Sequence, residues 1–375
     1  MPWEAVTTMS LRKEFVMMAI AGTLSFSELC GRFNISRKTG YKWLHRYRAG
    51  GAAGLLDRSR RPHTIARQIA PAMEQEIVSL RKTCHWGARK IQRRLRDLGT
   101  LDVPAASTIT QVLHRHDLIS SDAPGGRKDW NRFEHPVPNS LWQMDFKSPV
   151  KSLAGCFHPL TILDDHSRFN LCLQALCSQK TAPVKESLTK TFRCYGLPDT
   201  LLTDNGSPWG GHDRQRYTSL SVWLIRLNIH VGHSRPYHPQ TIGKDERFHR
   251  SLNEELIKRY QWRDQAHLQQ AFDSWRPRYN FERPHDSLDL QVPASRYQPS
   301  LRRFPEVLPP IEYPDAIAVR KIQYGGFLHF KGRVLRLWKA FHGYPVGVEP
   351  TATDGVLKVK FCQQHIATIN LNDDP

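Results

Sequence analysis

The chain has 375 residues, of which 39% are hydrophobic and 24% charged. This is the composition of a soluble globular protein, and the length exceeds one typical domain, so two to four domains are expected. A membrane span needs about 20 apolar residues, and the best run, FVMMAIAG at 15–22, falls far short. The formal net charge of +19 and pI near 9.8 call for a polyanion to neutralise them, and nucleic acid is the usual one.

No charged start, apolar centre and small-residue cleavage site marks a secretion signal, so a cytoplasmic location is expected. Seven cysteines, at 30, 84, 156, 172, 177, 194 and 362, include no CxxC pair and no His pair at zinc-finger spacing. Buried reduced thiols are expected in place of a disulfide frame or zinc site. The charge is uneven. Residues 1–127 hold 21 Lys and Arg against 10 Asp and Glu, a net of +11, so this third of the chain is built to meet phosphates.

Residues 10–48 show three helical patterns. Ser10 is a candidate cap for the first, with Phe15 and Met18 inward. Ser25 or Ser27 caps the second, where Leu29 and Phe33 share a face. After a turn at Asn34 and Ile35, Ser36 caps a third with Trp43, Leu44 and Tyr47 inward and Arg37, Lys38, Lys42 and Arg46 outward. Two capped helices across a short turn, the second basic on its outer face, predict a helix-turn-helix whose last helix enters the major groove. A three-helix packing module with solvated charges is the plainer alternative.

The connector 58–68, RSRRPHTIARQ, holds Arg58, Arg60 and Arg61 and no acid. It is either an arm along the DNA backbone or minor groove, or a flexible linker. A second helical unit follows at 72–119. Ile91, Leu95 and Leu98 form one stripe, with Arg89, Lys90, Arg93, Arg94 and Arg96 on the other side. Ser107 is expected to cap a further helix carrying Ile109, Val112, Leu113 and His116. Two such units in tandem lengthen the footprint on duplex DNA. The Gly- and Pro-containing stretch 120–139 reads as a linker.

From Trp142 strands alternate with helices. LWQMDF (141–146), LTILDDHS (160–167) and FNLCLQAL (169–176) predict an antiparallel meander. A helix at 181–196 places Val184, Leu188 and Phe192 four apart and closes at Gly196. DTLLTDNGS (199–207) is a short strand. A helix through 214–227, a strand near 228–233 and a long helix from about 241 to 260 complete a mixed α/β sheet.

Asp145 lies on the first strand, Asp204 at the carboxyl end of the fourth, and Glu246 in the first turns of the long helix. Three unpaired carboxylates brought together repel unless divalent cations lie between them. Oxygen ligands without His or Cys select Mg²⁺ or Mn²⁺. Two such ions about 4 Å apart clamp the attacking and leaving oxygens of an in-line phosphate displacement.

WQMDF, LLTDNGSPW, HSRPYHPQT-x-GKDERFHRSL and YNFERPHDSL resemble, in this order, the signature blocks of the DDE transposases of bacterial insertion sequences, relatives of retroviral integrases with a ribonuclease H-like core. The likeness covers roughly 139–295, and the amino-terminal helix-turn-helix pair fits it. It implies that Asp145, Asp204 and Glu246 are the catalytic, metal-binding triad. Forty-one residues separate Asp204 from Glu246, more than the integrase pattern usually shows, and Ile242 stands where a polar residue is common. The pattern makes Glu246 the ligand. Asp245, about 100° round the helix, is then a solvent charge or an outer support.

Four further readings stay open. Asn205 and Gly206 fix a turn or touch substrate. Asp164, Asp165 and His166 close a strand-end turn or serve the site. His233, His238, Lys244 and Arg247 hold phosphates or make structural hydrogen bonds, with Lys244 the favoured DNA contact. Residues 263–281 form a closing helix, and 284–314, with seven prolines, read as an extended arm. FLHF, RVLRLW, LKVKFC and HIATINL suggest a small β-barrel, which is either a DNA-binding and assembly aid or a structural cap.

The expected chain is multidomain: all-α helix-turn-helix units at 8–62 and 70–120, a linker at 121–138, a ribonuclease H-like α/β core with a mixed five-stranded sheet at 139–283, a Pro-rich linker at 284–314 and a small all-β barrel at 315–375. The expected activity is a transposase, a DDE-type polynucleotidyl transferase that cuts transposon ends and joins them to target DNA with two Mg²⁺ or Mn²⁺ ions. Its partners are double-stranded DNA and at least a second copy of the chain, at the bacterial nucleoid and away from membranes. The rivals are a DNA-binding repressor that has lost catalysis and a metal-dependent nuclease that does not join.

Overall fold

The computed structural model describes residues 7–58, 69–119, 134–204, 206–210, 216–233 and 243–372. The expected Arg60 and Arg61 arm, Asn205, His238, Ile242 and most of the 121–138 linker lie outside the described residues. The chain divides into two compact units, Met1–Gln68 and Ile69–Pro375.

In the first unit, α1 (Thr8–Ala21), α2 (Phe26–Arg32) and α3 (Arg37–Gly50) surround Phe15, Val16, Leu29, Trp43 and Leu44. Thr7, not Ser10, caps α1, its hydroxyl accepting the Ser10 amide. The chain reaches extended geometry one turn earlier than the apolar pattern suggests. Ser25 caps α2 in a reciprocal box with Glu28, and Ser36 caps α3. Gly40 sits where α3 crosses its neighbours; a Cβ there would stand 2.8 Å from both Cys30 Sγ and Phe15, so only glycine allows this approach.

The second unit begins with α4 (Pro71–Cys84), α5 (Ala88–Asp97) and α6 (Ala106–Arg115), packed on Ile77, Trp86, Ile91, Leu95, Ile109 and Leu113. Two expectations fail here. Leu98 leaves the inner stripe at 52% exposure, because α5 ends one residue before it. Ala105 occupies the position given to Ser107, so α6 has no side-chain cap.

The main sheet holds β1 (Leu141–Phe146), β2 (Val150–Ser152), β3 (Gly155–Asp164), β4 (Asn170–Leu176), β5 (Thr200–Thr203) and β6 (His230–His233). Its order is β4-β3-β1-β5-β6, with the short β2 beside the start of β3. β1, β3 and β4 form the expected antiparallel meander, and β5 and β6 run parallel to β1. The sheet thus has six strands where five were expected. The extra one is a three-residue hairpin arm too short to show a period. Helix α7 (Thr181–Tyr195) buries Val184, Leu188 and Phe192 completely on the sheet, and α8 (Ser219–Arg226) joins the same core. On the other face, α9 (Gly243–Glu255) and α10 (Gln265–Phe281) enclose Phe248, Leu252, Phe272 and Trp275 with Leu163 and Leu173.

The Pro-rich arm is pinned to the core. Arg302 donates to the carbonyls of Pro198, Leu227 and Asn228, and Tyr297 stacks on Phe169 at 4.3 Å. Beyond it, β7 (Ala318–Lys321), β10 (Pro345–Pro350), β11 (Val356–Phe361) and β12 (Gln364–Asn370) form an open sheet, while β8 (Phe327–Phe330) and β9 (Arg333–Arg336) form a separate hairpin. The expected barrel is therefore corrected. The strands are all there, but β12 and β7 end the sheet as edges, and no pairing among the described residues closes them.

Candidate active site at the strand ends

The parallel register sets the first two carboxylates together. Gln143 on β1 pairs with Leu202 on β5, and Asp145 and Asp204 each stand two residues further on. Asp145 Oδ1 accepts the Phe146 amide at 2.7 Å. Burial first, then the charge of Asp204 and that of Glu246, push its carboxyl up to about 6, against one backbone hydrogen bond that lowers it. Both sequence-chosen partners therefore act on Asp145.

Asp204 is also raised, chiefly by burial, with His233 and a hydrogen bond from the Trp209 side chain opposing. Its Oδ1 is buried with no hydrogen-bond partner. Trp209, 3% exposed, stacks on Phe146 at 5.4 Å and walls the gap between the strand ends. His233 Nδ1 lies 3.2 Å from Thr203 Oγ1 and 3.3 Å from the Asp204 carbonyl, a structural place that ties β6 to β5.

Asp145 is held from the side by two residues that sequence reasoning passed over or left unassigned. Thr161, its cross-strand partner on β3, donates its hydroxyl to the Asp145 carbonyl at 3.0 Å. That hydroxyl is also 2.9 Å from His249 Nε2. His249 Nδ1 lies 4.0 Å from Asp145 Oδ2, beyond hydrogen-bond length, so the ring supports Asp145 through Thr161. Burial lowers His249 to about 4, so it is neutral near pH 7 and forms no ion pair. Its spacing from Asp245, four residues on one helix face, was the available signal.

The two acids of the helix change places relative to expectation. Asp245 is 0% exposed and Glu246 is exposed, so the solvent role considered for Asp245 is overturned. The hydrophobic face of α9, Phe248 and Leu252, continues back through Asp245 at the i−3 and i−7 positions. Lys244 reaches buried Asp165, 2.5 Å from Oδ1, and is not turned outward. Asp165 also accepts Gln143 and the His135 amide, and Asp164 accepts the amides of Asn139 and Ser167. These acids close the strand-end turn.

Asp145, Asp204 and Glu246 offer only hard oxygens, and an orphaned Asp204 oxygen and a raised Asp145 are what a cation would relieve. The donor set fits Mg²⁺ or Mn²⁺. Among the described residues, no group of three or more His, Cys, Asp or Glu is already gathered as a metal cage, in keeping with the outward side chain of Glu246.

Because the raised Asp145 carboxyl binds its proton more tightly folded than unfolded, it stabilises the fold below pH 4 and gives that up as pH rises through 6. Asp145→Asn should therefore melt higher than the parent at pH 8 without metal, by at most about 3 kcal/mol, and equally at pH 3.5. Equal melting at pH 8 would refute this burial argument.

The basic residues divide. Arg37, Lys38, Lys42, Arg58 and Arg247 are exposed, and Lys42 and Arg46 lie over Trp43 at 4.4 and 5.1 Å. On α5 the bases turn to acids. Arg94 meets Glu282 at 2.7 Å, Arg93 meets Asp97 at 2.8 Å, and Arg89 and Lys90 lie 3.5 and 3.6 Å from Asp286. Lys90 is lowered to about 8 by burial. Its expected DNA role gives way to an internal one, because α5 docks against the end of α10 and faces acids there.

Models of an integrase core domain match residues 135–239 and 227–293. A helix-turn-helix domain matches 11–63, a homeodomain-like domain 39–113, and the IS481 family transposase C-terminal domain 317–374. An uncharacterized 39.2 kDa protein of insertion element IS476 from Xanthomonas euvesicatoria is 24% identical over 66% of this chain and 70% of its own length. The 31.7 kDa protein of insertion element IS407 from Burkholderia multivorans is 22% identical over 42% of this chain. The chain spans 55% of the length of that relative, and 10% of the Pro-Pol polyprotein of feline foamy virus, which is 29% identical over 127 residues. Among solved structures, the simian T-cell lymphotropic virus intasome in complex with PP2A regulatory subunit B56 gamma covers 77% of this chain and 95% of the matched one, at 16% identity and a TM-score of 0.40. The HTLV-2 integrase catalytic core domain in complex with magnesium covers 44% and 99%, at 15% and 0.34.

Proposed function

From a chain matched by models of helix-turn-helix domains, an integrase core domain and an IS481 family transposase C-terminal domain, and similar to proteins of bacterial insertion elements, we propose a transposase, a metal-dependent polynucleotidyl transferase that cleaves element ends and joins them to target DNA. The observation that carries the proposal is Asp145 and Asp204 at matching positions past paired parallel strands, with the charge of Glu246 acting on Asp145. Asp145, Asp204 and Glu246 would hold divalent cations, which supply charge neutralisation and polarisation of the phosphodiester oxygens. Water attacks one phosphodiester, and the 3′-hydroxyl so freed attacks a second; no side chain bonds to DNA. Thr161 and His249 position Asp145, and Trp209 and Phe146 wall the site from one side.

A strand-transfer assay with Mg²⁺ and candidate element ends tests this. Joined product is expected. Nicking alone would give the nuclease reading, and binding alone the repressor. At least two copies are needed to bring two ends together.

The exposed bases of α3 support duplex binding by the first unit. Lys42→Ala should weaken duplex affinity and reduce the salt slope by about 1. Lys90→Ala should leave the slope unchanged, since its ammonium serves Asp286. Equal slopes for the two variants in a fluorescence-anisotropy salt series would reverse this division of roles.

A further inference from the structure

Asp245 sits in an apolar row. Three and seven residues further along α9 stand Phe248 and Leu252, at 1% and 0% exposure, and Asp245 itself is 0% exposed. Neither of its carboxylate oxygens has a hydrogen-bond partner. A desolvated, unpaired carboxylate is among the costliest groups a fold can bury, and native proteins supply such a group with a donor or a cation.

The neighbours narrow the choice. The charge that acts most strongly on Asp245 is Asp145, followed by Asp165, with Lys244 opposing them. Lys244 is committed elsewhere, its ammonium lying 2.5 Å from Asp165 Oδ1 and 3.2 Å from the Asp165 carbonyl oxygen. Asp165 is fully served by Lys244, Gln143 and His135. What is left is one buried carboxylate without a donor on α9, a helix in contact with β1, the strand of Asp145, whose own Oδ1 takes only the Phe146 amide. Two hard anionic donors on elements in contact, one of them without any hydrogen-bond partner, match a divalent cation of the Mg²⁺ and Mn²⁺ class.

We propose that Asp245 is a further metal ligand, which together with Asp145 holds a divalent cation on the buried side of α9, while Glu246 serves the solvent side. The inference rests on the reading of Asp145 as a metal ligand. It gives α9 two consecutive carboxylates with separate work, one on each side of the helix.

Mn²⁺ binding to the full chain without DNA, followed by electron paramagnetic resonance, tests it together with melting temperature with and without Mn²⁺. Asp245→Asn is expected to weaken Mn²⁺ binding at least tenfold and to remove most of the melting rise that Mn²⁺ gives, while the metal-free protein melts no lower than the parent. Mn²⁺ affinity within twofold of the parent overturns the proposal, as does a lowered metal-free melting point with affinity intact, which marks a structural group only. Asp245→Leu, which suits the apolar row, answers the same question should the Asn variant fail to fold. Asp145→Asn separates the two levels of argument. Loss of Mn²⁺ there with retention in Asp245→Asn sinks this inference alone, and retention in both sinks the metal-site reading beneath it.

Discussion

Asp204→Asn is expected to abolish cleavage and joining, by about a thousandfold or more, while DNA-end binding stays within about twofold. Asn preserves shape and volume, so the Trp209 wall and the turn through Gly206 have no reason to move. What disappears is the anionic donor. Asp204 Oδ1 is buried without a partner, and a neutral amide oxygen there holds a divalent cation far more weakly than a carboxylate does. In the proposed function end binding rests on exposed bases such as Lys38 and Lys42 on α3, a different unit of the chain. Because Asp204 is raised by burial, the amide variant should also melt no lower than the parent in the absence of metal. Mg²⁺-dependent nicking that survives in Asp204→Asn, at a level above one part in a hundred, would show that the chemistry lies elsewhere.

The second large effect is on stability. Arg283 and Glu255 pair at 2.7 Å with side chains only 7% and 8% exposed. Arg283 also donates to Ser251 at 3.0 Å and lies 3.5 Å from His285 Nε2. This knot joins the last turns of α9 to the segment after α10, and so fixes the helix that carries Asp245 and Glu246. Arg283→Ala strands a buried carboxylate, and a loss of about 3–5 kcal/mol is expected. Arg283→Met with Glu255→Gln removes both charges and should recover most of it. By contrast, Lys258 and Glu254 pair at 2.7 Å but are 58% and 52% exposed, so Lys258→Ala should cost under about 0.5 kcal/mol. Urea melts of these variants decide the matter; equal losses for Arg283→Ala and Lys258→Ala would mean the knot contributes nothing special.

Much of the fold was legible along the chain because its signals are local. Ser25 with Glu28, and Ser36, announce α2 and α3 through hydrogen bonds to amides three residues away. The four-residue spacing of Val184, Leu188 and Phe192 and the terminal Gly196 set α7. The candidate acids Asp145, Asp204 and Glu246 stood out for a different reason: each lies at the end of a strand or start of a helix that periodicity locates, inside blocks with a specific resemblance. Where local signals were weak, the reading slipped. The three-residue β2 has no period to detect, the cap of α1 lay one turn upstream of the expected serine, and closure of the last strands into a barrel depends on which edges meet.

The sequence by itself determined the order of helical and sheet segments, the basic character of the first third, and the identity of Asp145, Asp204 and Glu246 as the acids to compare. Only the tertiary structure decided that Asp245 is the buried acid of α9, that Lys90 and Arg94 answer Asp286 and Glu282, and that Lys244 serves Asp165. Caps and periodicity act within a turn or two of the chain. The partner of a charge is chosen by packing between residues far apart in sequence, Arg94 and Glu282 being 188 positions apart, and no local pattern carries that information.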